Sequence, residues 1–528
     1  MTSAGPVLRR LAAAAVALGV TGIAWASGAA AASQPGHAGS GSGSWTVYHG
    51  DAAGSGVASV AGGVDTSARA WTSPALHGQL YGEPLVSGDR VYVATEDNTV
   101  YALDAGTGAV IWHRQLATPV PSSALPCGDI GPTVGITGTP VIDPARGEIF
   151  VVADEWVNGR PRHVLAGLST ATGAVRMTRD VDPAGVDTAA LLQRTGLALA
   201  DGRVVFGFGG NDGDCATYRG RVVAVPEGGG TPLMFTVDAK PGQSQGAIWM
   251  GGAAPAVDSS GNVWVSAGNG SVYDPARGYD DSDSALELSP SMHLEQFFAP
   301  SSWASDNSRD LDMSTAPALL PHGQVVLAGK SRIVYLLNAT HLGGIGGQAA
   351  MLGPVCDEDI DGGMATLGDT VFLPCLSGIA AVRASTSPPG LRLLWDSGTG
   401  GGPPIVAGGL VWTISRASTL YGLDPATGQV RQQAFTGVPS NHFPTPGIGA
   451  GLLLAPAANR VVAFRTGRHS GTAGSSPAAA SPGATGQPEA SSPGGTSSAA
   501  IGAVLAGVLI LAGGVGWLIR QRRRQWPR

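Results

Sequence analysis

Residues Gly82–Arg114 read GEPLVSGDRVYVATEDNTVYALDAGTGAVIWHR and decide the fold. Short runs of alternating apolar and polar residues lie at Pro84–Val86, Val91–Ala94, Val100–Leu103 and Val110–Trp112, with turns containing Gly or Asp between them. Period-two alternation between such turns is the signature of antiparallel strands. The stretch therefore predicts one four-stranded β-sheet.

The same layout recurs along the chain. The turn Asp104–Gly108 returns as Asp424–Gly428 and, with Ser in place of Asp, as Ser169–Gly173. The entering segments of the units begin near Gly82, Gly138, Gly196, Gly251, Thr315, Gly362, Gly402 and Pro446. Their spacings of 40 to 64 residues suit propeller blades of about 40–50 residues with insertions. We therefore predict an all-β fold, an eight-bladed β-propeller of four-stranded blades.

The eighth unit is short, because it ends after Arg460–Phe464 and lacks an outer strand. Residues Ala70–Thr72, which precede the first unit, would supply that strand and leave the ring without an open edge. Two separate sandwiches are the alternative, but no Pro/Ser-rich break divides the repeats. We place the propeller at residues 69–466, after an N-terminal leader at residues 33–68.

The N-terminal end has the pattern of an export signal. Arg9 and Arg10 precede an apolar run and then small residues, which predicts a secretory signal peptide over residues 1–32. The residues after the Arg pair match a twin-arginine signal poorly, so ordinary Sec export is favoured. Export places the bulk of the chain outside the cytoplasm.

The C-terminal end has the pattern of a tethered anchor. Residues 467–498 are rich in Ser, Pro, Gly and Ala and predict a flexible stalk. Ala499–Ile519 carries no charge and is long enough for a transmembrane helix, with a basic cytoplasmic tail at residues 520–528. A buried helix of a soluble domain is the alternative, but no amphipathic stripe is present. We therefore expect a single-pass protein of the cell membrane.

The charge and the cysteines fit an exported domain. Seven of the 31 basic residues and none of the 38 acidic residues lie in the signal and the tail, so the remaining domain is acidic. An acidic surface argues against nucleic acid as a partner. Four cysteines without a C-x-x-C spacing favour disulfides over zinc. Of the three possible pairings we favour Cys356–Cys375, which closes a short loop, and Cys127–Cys215 by elimination.

The segment Tyr101–Gly108, followed by Trp112, resembles the quinoprotein repeat, with Ala-x-Asp, Thr-Gly and then Trp. Over residues 45–466 the chain is similar to the PQQ-binding-like, or quinoprotein alcohol dehydrogenase-like, β-propeller family. A Trp, aromatic, His and Asp opening of that family is loosely matched by Trp45, Tyr48, His49 and Asp51. The resemblance implies the fold. It leaves activity open, because the family includes both dehydrogenases and the non-enzymatic lipoprotein of outer-membrane assembly.

The resemblance also implies positions for pyrroloquinoline quinone (PQQ). Trp249 matches the Trp that stacks on the quinone, and Lys330 matches the basic residue that contacts its oxygens. Asp310 or Asp312 matches the base that takes the alcohol proton. In that arrangement the Trp fixes the ring plane while the Asp removes the proton.

Calcium is the second cofactor that the resemblance implies, with Asn269 and Asp214 as metal ligands. Two positions depart from the enzymes' pattern. Asp214 stands where those enzymes use a Glu, and Gly128 follows Cys127, so the disulfide between adjacent cysteines that caps the quinone cannot form.

A separate acidic motif is formed by Asp357, Asp359, Asp361 and Gly362. D-x-D-x-D-G is the first half of an EF-hand loop and suggests a second calcium site. The twelfth position is Gly368 and not the bidentate Glu, so an acidic solvated turn is the alternative.

These features favour a ligand- or protein-binding scaffold propeller, outside the cytoplasm and tethered to the membrane. An unidentified protein or small molecule would bind where loops gather around the central channel. A PQQ- and calcium-dependent dehydrogenase of alcohols or sugars is the alternative. A lectin for sugars or cell wall is a third possibility, without specific residues to support it.

Overall fold

The fold is an eight-bladed β-propeller, seen in a computed structural model that describes residues 43–60 and 62–467. The eight sheets begin within a few residues of the predicted unit starts, so the prediction from the repeats is confirmed. The expected signal peptide, transmembrane helix and tail lie outside the described residues, as does the stalk beyond Gly467. No helix in the described residues is long and apolar enough to cross a membrane.

The first four blades follow chain order from the inner to the outer strand, with antiparallel neighbours. Blade 1 consists of Leu85–Ser87, Arg90–Thr95, Thr99–Asp104 and Val110–Gln115. Blade 2 consists of Val141–Asp143, Glu148–Val157, Arg160–Ser169 and Val175–Asp180. Blade 3 consists of Leu191–Leu192 with Ala198–Ala200, Arg203–Gly210, Arg221–Pro226 and Leu233–Thr236. Blade 4 consists of Ala256–Val257, Val263–Ala267, Ser284–Leu288 and Leu294–Ala299, with Gly344–Ile345 parallel to the last.

The other four blades repeat this order. Blade 5 consists of Ala318–Leu320, Gln324–Leu327, Val334–Asn338 and Ala350–Leu352. Blade 6 consists of Ala365–Leu367, Thr370–Cys375, Gly378–Thr386 and Pro389–Asp396. Blade 7 consists of Ile405–Ala407, Leu410–Ile414, Thr419–Leu423 and Val430–Phe435. Blade 8 consists of Gly447–Gly449, Leu452–Ala457 and Arg460–Gly467. The described connections include a two-stranded hairpin, Val120–Pro121 with Thr133–Val134, and one α-helix, Trp303–Asn307.

The repeated Thr-Gly turn holds neighbouring blades together. Trp112 of blade 1 donates its Nε1–H to the carbonyl of Thr170 in the next blade, at 3.0 Å. A Cβ on Gly173, which has φ +69°, would lie 2.5 Å from that indole ring. Trp395 of blade 6 stacks on Gly428 of blade 7 in the same way. Two separate constraints therefore require glycine at this position: the positive φ of its backbone, and the tryptophan ring that leaves no space for a Cβ.

The N-terminal segment closes the ring, as the missing outer strand predicts. Trp71–Thr72 and Gly63–Asp65 both pair antiparallel with Arg460–Gly467, the last strand of blade 8. Trp71 then repeats the inter-blade contact across the closing junction, because it donates to the carbonyl of Ala105 at 2.8 Å and covers Gly108. Strands from both ends of the propeller therefore complete blade 8 and close the ring.

A second part of the N-terminal region crosses the central channel. Residues 43–58, part of the expected leader, accept backbone hydrogen bonds from the inner strands of blades 1, 2, 4, 6 and 7. The donating amides belong to Val86, Ile142, Val257, Thr366 and Val406. Val57–Ala58 also pairs with blade 7 as a short parallel strand. We call residues 43–58 the channel plug.

The channel plug is anchored by a buried carboxyl group. Glu83 accepts hydrogen bonds from Trp45 Nε1 at 2.7 Å and from the backbone N–H of His49 at 2.8 Å. Trp45 is fully buried, and its ring packs on Gly50, where a Cβ would lie 2.3 Å away. The loosely matched family opening therefore has a packing role in this chain.

The loop between blades 1 and 2 is held by a second buried carboxyl group, which makes stability depend on pH. Glu96 is 1% exposed, and its Oε2 accepts hydrogen bonds from the N–H of Gly135 and the hydroxyl of Thr137. Its Oε1 has no hydrogen-bond partner among the described residues. Burial raises the pKa of Glu96 from 4.5 to about 8. Between those values the folded protein retains a proton that the unfolded chain releases, so stability falls as pH rises.

We expect Glu96→Gln to make the pH dependence of stability shallower. The glutamine carbonyl can replace Oε2 as acceptor, and its amide nitrogen would stand at the unpartnered position. Between about pH 5 and 8 the slope for unfolding should decrease by up to about 1.4 kcal/mol per pH unit. Urea unfolding midpoints measured across this range in both proteins test the prediction. Parallel curves would contradict it.

Candidate functional site

A cavity of about 720 Å³ opens on one face of the propeller. Its lining residues lie in loops that precede inner strands, such as Tyr81 and Trp249, or follow second strands, such as Asn269 and Lys330. The channel plug bonds to the inner strands themselves. The cavity is therefore the open end of the central channel, and the channel plug lies below it.

Trp249 forms part of the cavity wall between blades 3 and 4. A tight turn follows it, in which a Cβ on Gly251 would lie 2.4 Å from the backbone nitrogen of Gly362. This close approach to blade 6 fixes the turn and hence the indole. The Trp249 ring centroid lies 5.5 Å from Lys330 Nζ and 5.9 Å from the ring of Phe443. The ring is therefore flanked by a cation and a second aromatic residue.

Lys330 is the centre of an ion-pair cluster. Its Nζ lies 2.6 Å from Asp312 Oδ2 and 3.2 Å from Asp310 Oδ1. Asp312 is 4% exposed, and its Oδ1 accepts the backbone N–H of Asn269 at 2.6 Å. Burial opposes the charged ammonium, but Asp312 and then Asp310 outweigh it and raise the pKa of Lys330 above its ordinary value. The sequence-predicted residues thus form a fixed cation with two carboxylates.

The two aspartates differ in what they can do. Both oxygens of Asp312 are engaged, by Asn269 and Lys330. Asp310 is largely exposed, adopts φ +57° and contacts Lys330 through one oxygen. Partial loss of water around the carboxyl group within the cavity, and then repulsion from Asp312, raise the pKa of Asp310. Asp310 is therefore the one that can accept a proton from a molecule in the cavity, and Asp312 positions Lys330.

The candidate calcium ligands are only partly brought together. Asp214 and Asn269 both line the cavity, and Asp214 Oδ1 accepts a hydrogen bond from the hydroxyl of Tyr218 at 2.7 Å. Burial raises the pKa of Asp214. Among the described residues, no group of three or more His, Cys, Asp or Glu side chains is arranged to hold a metal ion.

The D-x-D-x-D-G motif divides at the cavity wall. Asp361 lines the cavity, and its buried Oδ1 has no hydrogen-bond partner among the described residues. Burial raises the pKa of Asp361 to about 7. Asp357 and Asp359 do not line the cavity, and their backbone carbonyls accept hydrogen bonds from Arg332 and Leu376. The motif therefore contributes one carboxyl group to the cavity.

Other cavity residues were not predicted from the sequence. Arg194, Tyr81, His442 and Phe443 lie in loops just before inner strands, and His442 forms an ion pair with Asp129 of the hairpin between blades 1 and 2. The pair joins His442 Nδ1 to Asp129 Oδ2 at 2.7 Å, and this hydrogen bond lowers the pKa of Asp129. Their position just before each unit start is the signal that could have identified them.

A disulfide ties two cavity loops together. Cys127 is bonded to Cys215, and Cys356 to Cys375, so both predicted pairings are confirmed. The first joins the loop that carries Asp129 to the loop that carries Asp214. This disulfide connects loops of different blades and lies beside the cavity. It differs from the disulfide between adjacent cysteines that covers the quinone in the related dehydrogenases.

Residues 22–281 match the PQQ_2 family, described as outer membrane protein assembly factor BamB. The match covers just under half of the chain, which over these residues is similar to the PQQ-like β-propeller repeat family.

One curated protein similar in sequence to this PQQ-like propeller is a dehydrogenase. A stretch of 211 residues is 26% identical to a polyvinylalcohol dehydrogenase from a Pseudomonas species and covers 36% of this chain. That match spans 30% of the enzyme's own length.

Solved structures share the fold. Quinohemoprotein alcohol dehydrogenase ADHIIG from Pseudomonas putida HK5 has a TM-score of 0.61 at 15% identity, over 90% of this chain and 85% of that one. The quinohemoprotein alcohol dehydrogenase from Comamonas testosteroni has the same TM-score and identity, over 80% and 81%. At 15% identity these similarities show that this chain shares the propeller fold of the two enzymes.

Proposed function

We propose that the protein is a ligand-binding propeller that holds a small, flat molecule in the channel cavity against Trp249. The observation that supports it is the convergence of Trp249, the cation of Lys330 and the unpartnered carboxyl oxygen of Asp361 on one cavity. Its volume of about 720 Å³ is within the range of small-molecule sites. The ligand could instead be a protein that docks on the same face, so that the propeller acts as a scaffold. The description of the matched family as an assembly factor supports this version.

A second candidate function is the quinone-dependent oxidation of alcohols or sugars. The arrangement of Lys330 between Asp310 and Asp312 favours it, together with the dehydrogenase relative. Trp249 would fix the plane of the ring, and Lys330 would place a positive charge at its oxygens. Asp310 would accept the hydroxyl proton of the substrate. The quinone, when bound, supplies the acceptor for the hydride.

The residues of the cavity fit an anionic quinone better than a metal ion. A flat indole and buried cations suit a conjugated, negatively charged ring system. Calcium prefers several oxygen ligands, whereas Lys330 engages both Asp310 and Asp312. Asn269 and Asp214 are the residues that would hold calcium.

We also propose that the propeller works outside the cytoplasm, tethered to the cell membrane by one helix. The apolar span Ala499–Ile519 and the basic residues after it support this proposal. In this arrangement residues 467–498 separate the propeller from the bilayer.

The proposal is tested by titrating the purified full chain with PQQ, with and without calcium, while following tryptophan fluorescence and quinone absorbance. We expect saturable binding that Trp249→Ala weakens at least about fivefold, because stacking on an aromatic ring contributes on the order of 1 kcal/mol or more. Trp249→Phe, which retains a flat ring, should bind at an intermediate level. No binding to the wild type would exclude this quinone as the ligand.

Dye reduction with alcohols and sugars separates the two candidate functions. Binding without turnover supports a binding module. Turnover that Asp310→Asn abolishes supports a dehydrogenase, and Asp357→Asn is the matched control because Asp357 does not line the cavity. Turnover that survives Asp310→Asn would contradict the assignment of Asp310 as base.

A further inference from the structure

A buried carboxyl group without partners lies between blades 3 and 4, outside the channel cavity. Asp238 follows the outer strand of blade 3, Leu233–Thr236, and is 1% exposed. Among the described residues, neither of its carboxyl oxygens has a hydrogen-bond partner. Burying a polar group without hydrogen bonds is costly, and a native fold tolerates it only for a reason.

The carboxyl group of Asp238 faces the junction of two loops. One loop is residues 237–246, and the other is residues 268–283 of blade 4. The backbone N–H of Gly246 donates to the carbonyl of Asn269 at 2.8 Å, which joins the two loops. A Cβ on Gly246 would lie 3.3 Å from Asp238 Oδ2, so the carboxyl group lies beside this contact. We call this place the loop junction.

Further oxygen atoms surround the loop junction. Burial, and then repulsion from Asp280 and Asp281, raises the pKa of Asp238 to about 9, which places the three carboxyl groups in one neighbourhood. The Oε1 of Gln245 is also buried and without a hydrogen-bond partner among the described residues. Asp281 is only partly buried, so the loop junction is accessible from solvent. Carboxylate and amide oxygens are the ligands that calcium prefers.

The cations of the chain do not neutralise this cluster. Lys240 Nζ donates to the carbonyl of Tyr279 at 2.8 Å, and Arg219 donates to the carbonyls of Gln243 and Lys240 at 3.1 and 3.3 Å. A proton on Asp238 would remove its charge, but the new hydroxyl group would have no acceptor among the described residues. A bound divalent cation would neutralise the charge and also satisfy the oxygens.

We propose that the loop junction is a calcium site formed by Asp238, the amide oxygen of Gln245 and one carboxylate of the pair Asp280 and Asp281. Calcium binds about six to eight oxygens in a flexible geometry, so backbone carbonyls and water can complete this set. The set uses two acidic side chains, and a group of three is not present among the described residues. This site lies outside the channel cavity and does not depend on the proposed function.

A calcium ion at the loop junction would stabilise one wall of the cavity from outside. Residues 268–283 carry Asn269 and Tyr273 into the cavity wall. Tyr273 is 57% exposed, and the residues from there to Gly278 are exposed as well. The ion would link this loop to residues 237–246 and hold it in place without contacting a ligand of the cavity.

The first test is thermal denaturation of the full chain after a chelator has removed divalent cations. Calcium at millimolar concentration should raise the melting temperature by at least about 2 °C, because it binds only the folded chain. Magnesium should raise it less, since it requires a stricter octahedral geometry. Asp238→Asn should lose the rise with calcium. In chelator this variant should melt no lower than the wild type, because the amide removes the repulsion among the carboxyl groups.

Two control variants locate the ion. Asp283→Asn removes another buried, unpartnered carboxyl group of the same loop, which is not among the groups that act on Asp238. Asp214→Asn removes a candidate calcium ligand of the cavity. Both should retain the rise with calcium. Trypsin cleavage after the exposed Arg277 adds a second readout. Calcium should slow it several-fold in the wild type and in both controls, but not in Asp238→Asn.

Three results would overturn the site. The first is a melting temperature of the wild type that does not respond to calcium. The second is an equal rise in Asp238→Asn and the wild type. The third is a rise that Asp214→Asn loses and Asp238→Asn keeps, which would assign the calcium to the cavity. None of these measurements involves PQQ, so the site at the loop junction can fail while the ligand-binding function stands, and the reverse.

Discussion

Replacing Trp71 with alanine is expected to lower the free energy of unfolding by about 3–5 kcal/mol, the usual cost of removing a large buried aromatic side chain. The indole lies at the junction of blades 8 and 1, where it stacks on Gly108 and donates to the carbonyl of Ala105. Its loss would leave a void and an unsatisfied carbonyl. It would also loosen Trp71–Thr72, a strand that closes the ring. Urea unfolding followed by circular dichroism measures the loss.

Two comparison variants show whether the position at the closing junction matters. Phe435→Ala removes a side chain that is 60% exposed on the outer strand of blade 7, so its effect should be within about 0.5 kcal/mol. Trp112→Ala removes the corresponding contact between blades 1 and 2, where the chain itself also joins the blades. Its effect should be smaller than that of Trp71→Ala. Equal small losses for Trp71 and Phe435 would contradict the closure described here.

Replacing Cys127 and Cys215 together with alanine is expected to cost about 4–5 kcal/mol in the chain-entropy model of disulfide stabilisation. The reason is the long separation of the two cysteines, 88 residues, because a long cross-linked loop restricts the unfolded chain most. The same substitution should weaken ligand binding, since the bridge holds the loops of Asp129 and Asp214 together beside the cavity. Unfolding midpoints and PQQ titrations of the oxidised protein measure both effects.

The second disulfide provides the control for this prediction. Cys356 and Cys375 are separated by 19 residues, for which the same model gives about 3 kcal/mol. Its removal should therefore destabilise the protein less, and it should affect the cavity only through Asp361. A larger loss from the short bridge than from the long one would show that the two act through the folded state.

The architecture could be predicted because each repeat contains the residues that form a blade and the residues that pack it against the next blade. Trp112 and the Thr-Gly turn at Gly173 are complementary parts of neighbouring blades, so their recurrence specifies both the sheet and its contact with the next sheet. Trp71, which precedes the first repeat, makes the same contact across the junction of blades 8 and 1. Its position in the sequence therefore indicates where the missing outer strand of blade 8 lies.

The channel plug could not be predicted in the same way. Residues 43–58 bind the inner strands mainly through single backbone hydrogen bonds, and such bonds leave no periodic pattern in the sequence. A Gly- and Ser-rich start therefore gave the appearance of a simple leader. What reveals the segment is Trp45, whose burial against Glu83 depends on tertiary contacts.

The candidate site was predicted where a family motif covers it and missed elsewhere. Trp249, Asn269 and Lys330 could be placed by resemblance, and the structure brings them to one cavity. Arg194 and Phe443 lie in loops whose sequences follow no repeat, because loops vary freely while the strands keep the fold. Asp357 and Asp359 show the reverse case, a recognisable motif whose side chains do not converge on the cavity.

The channel plug turns what could have been a tunnel into a cup. A molecule in the cavity has folded chain beneath it, so it enters and leaves by the open side of the cavity. If two molecules occupy the cup together, the deeper one must enter first and leave last. The shape of the cavity therefore sets the order in which molecules enter and leave it, independently of their affinities.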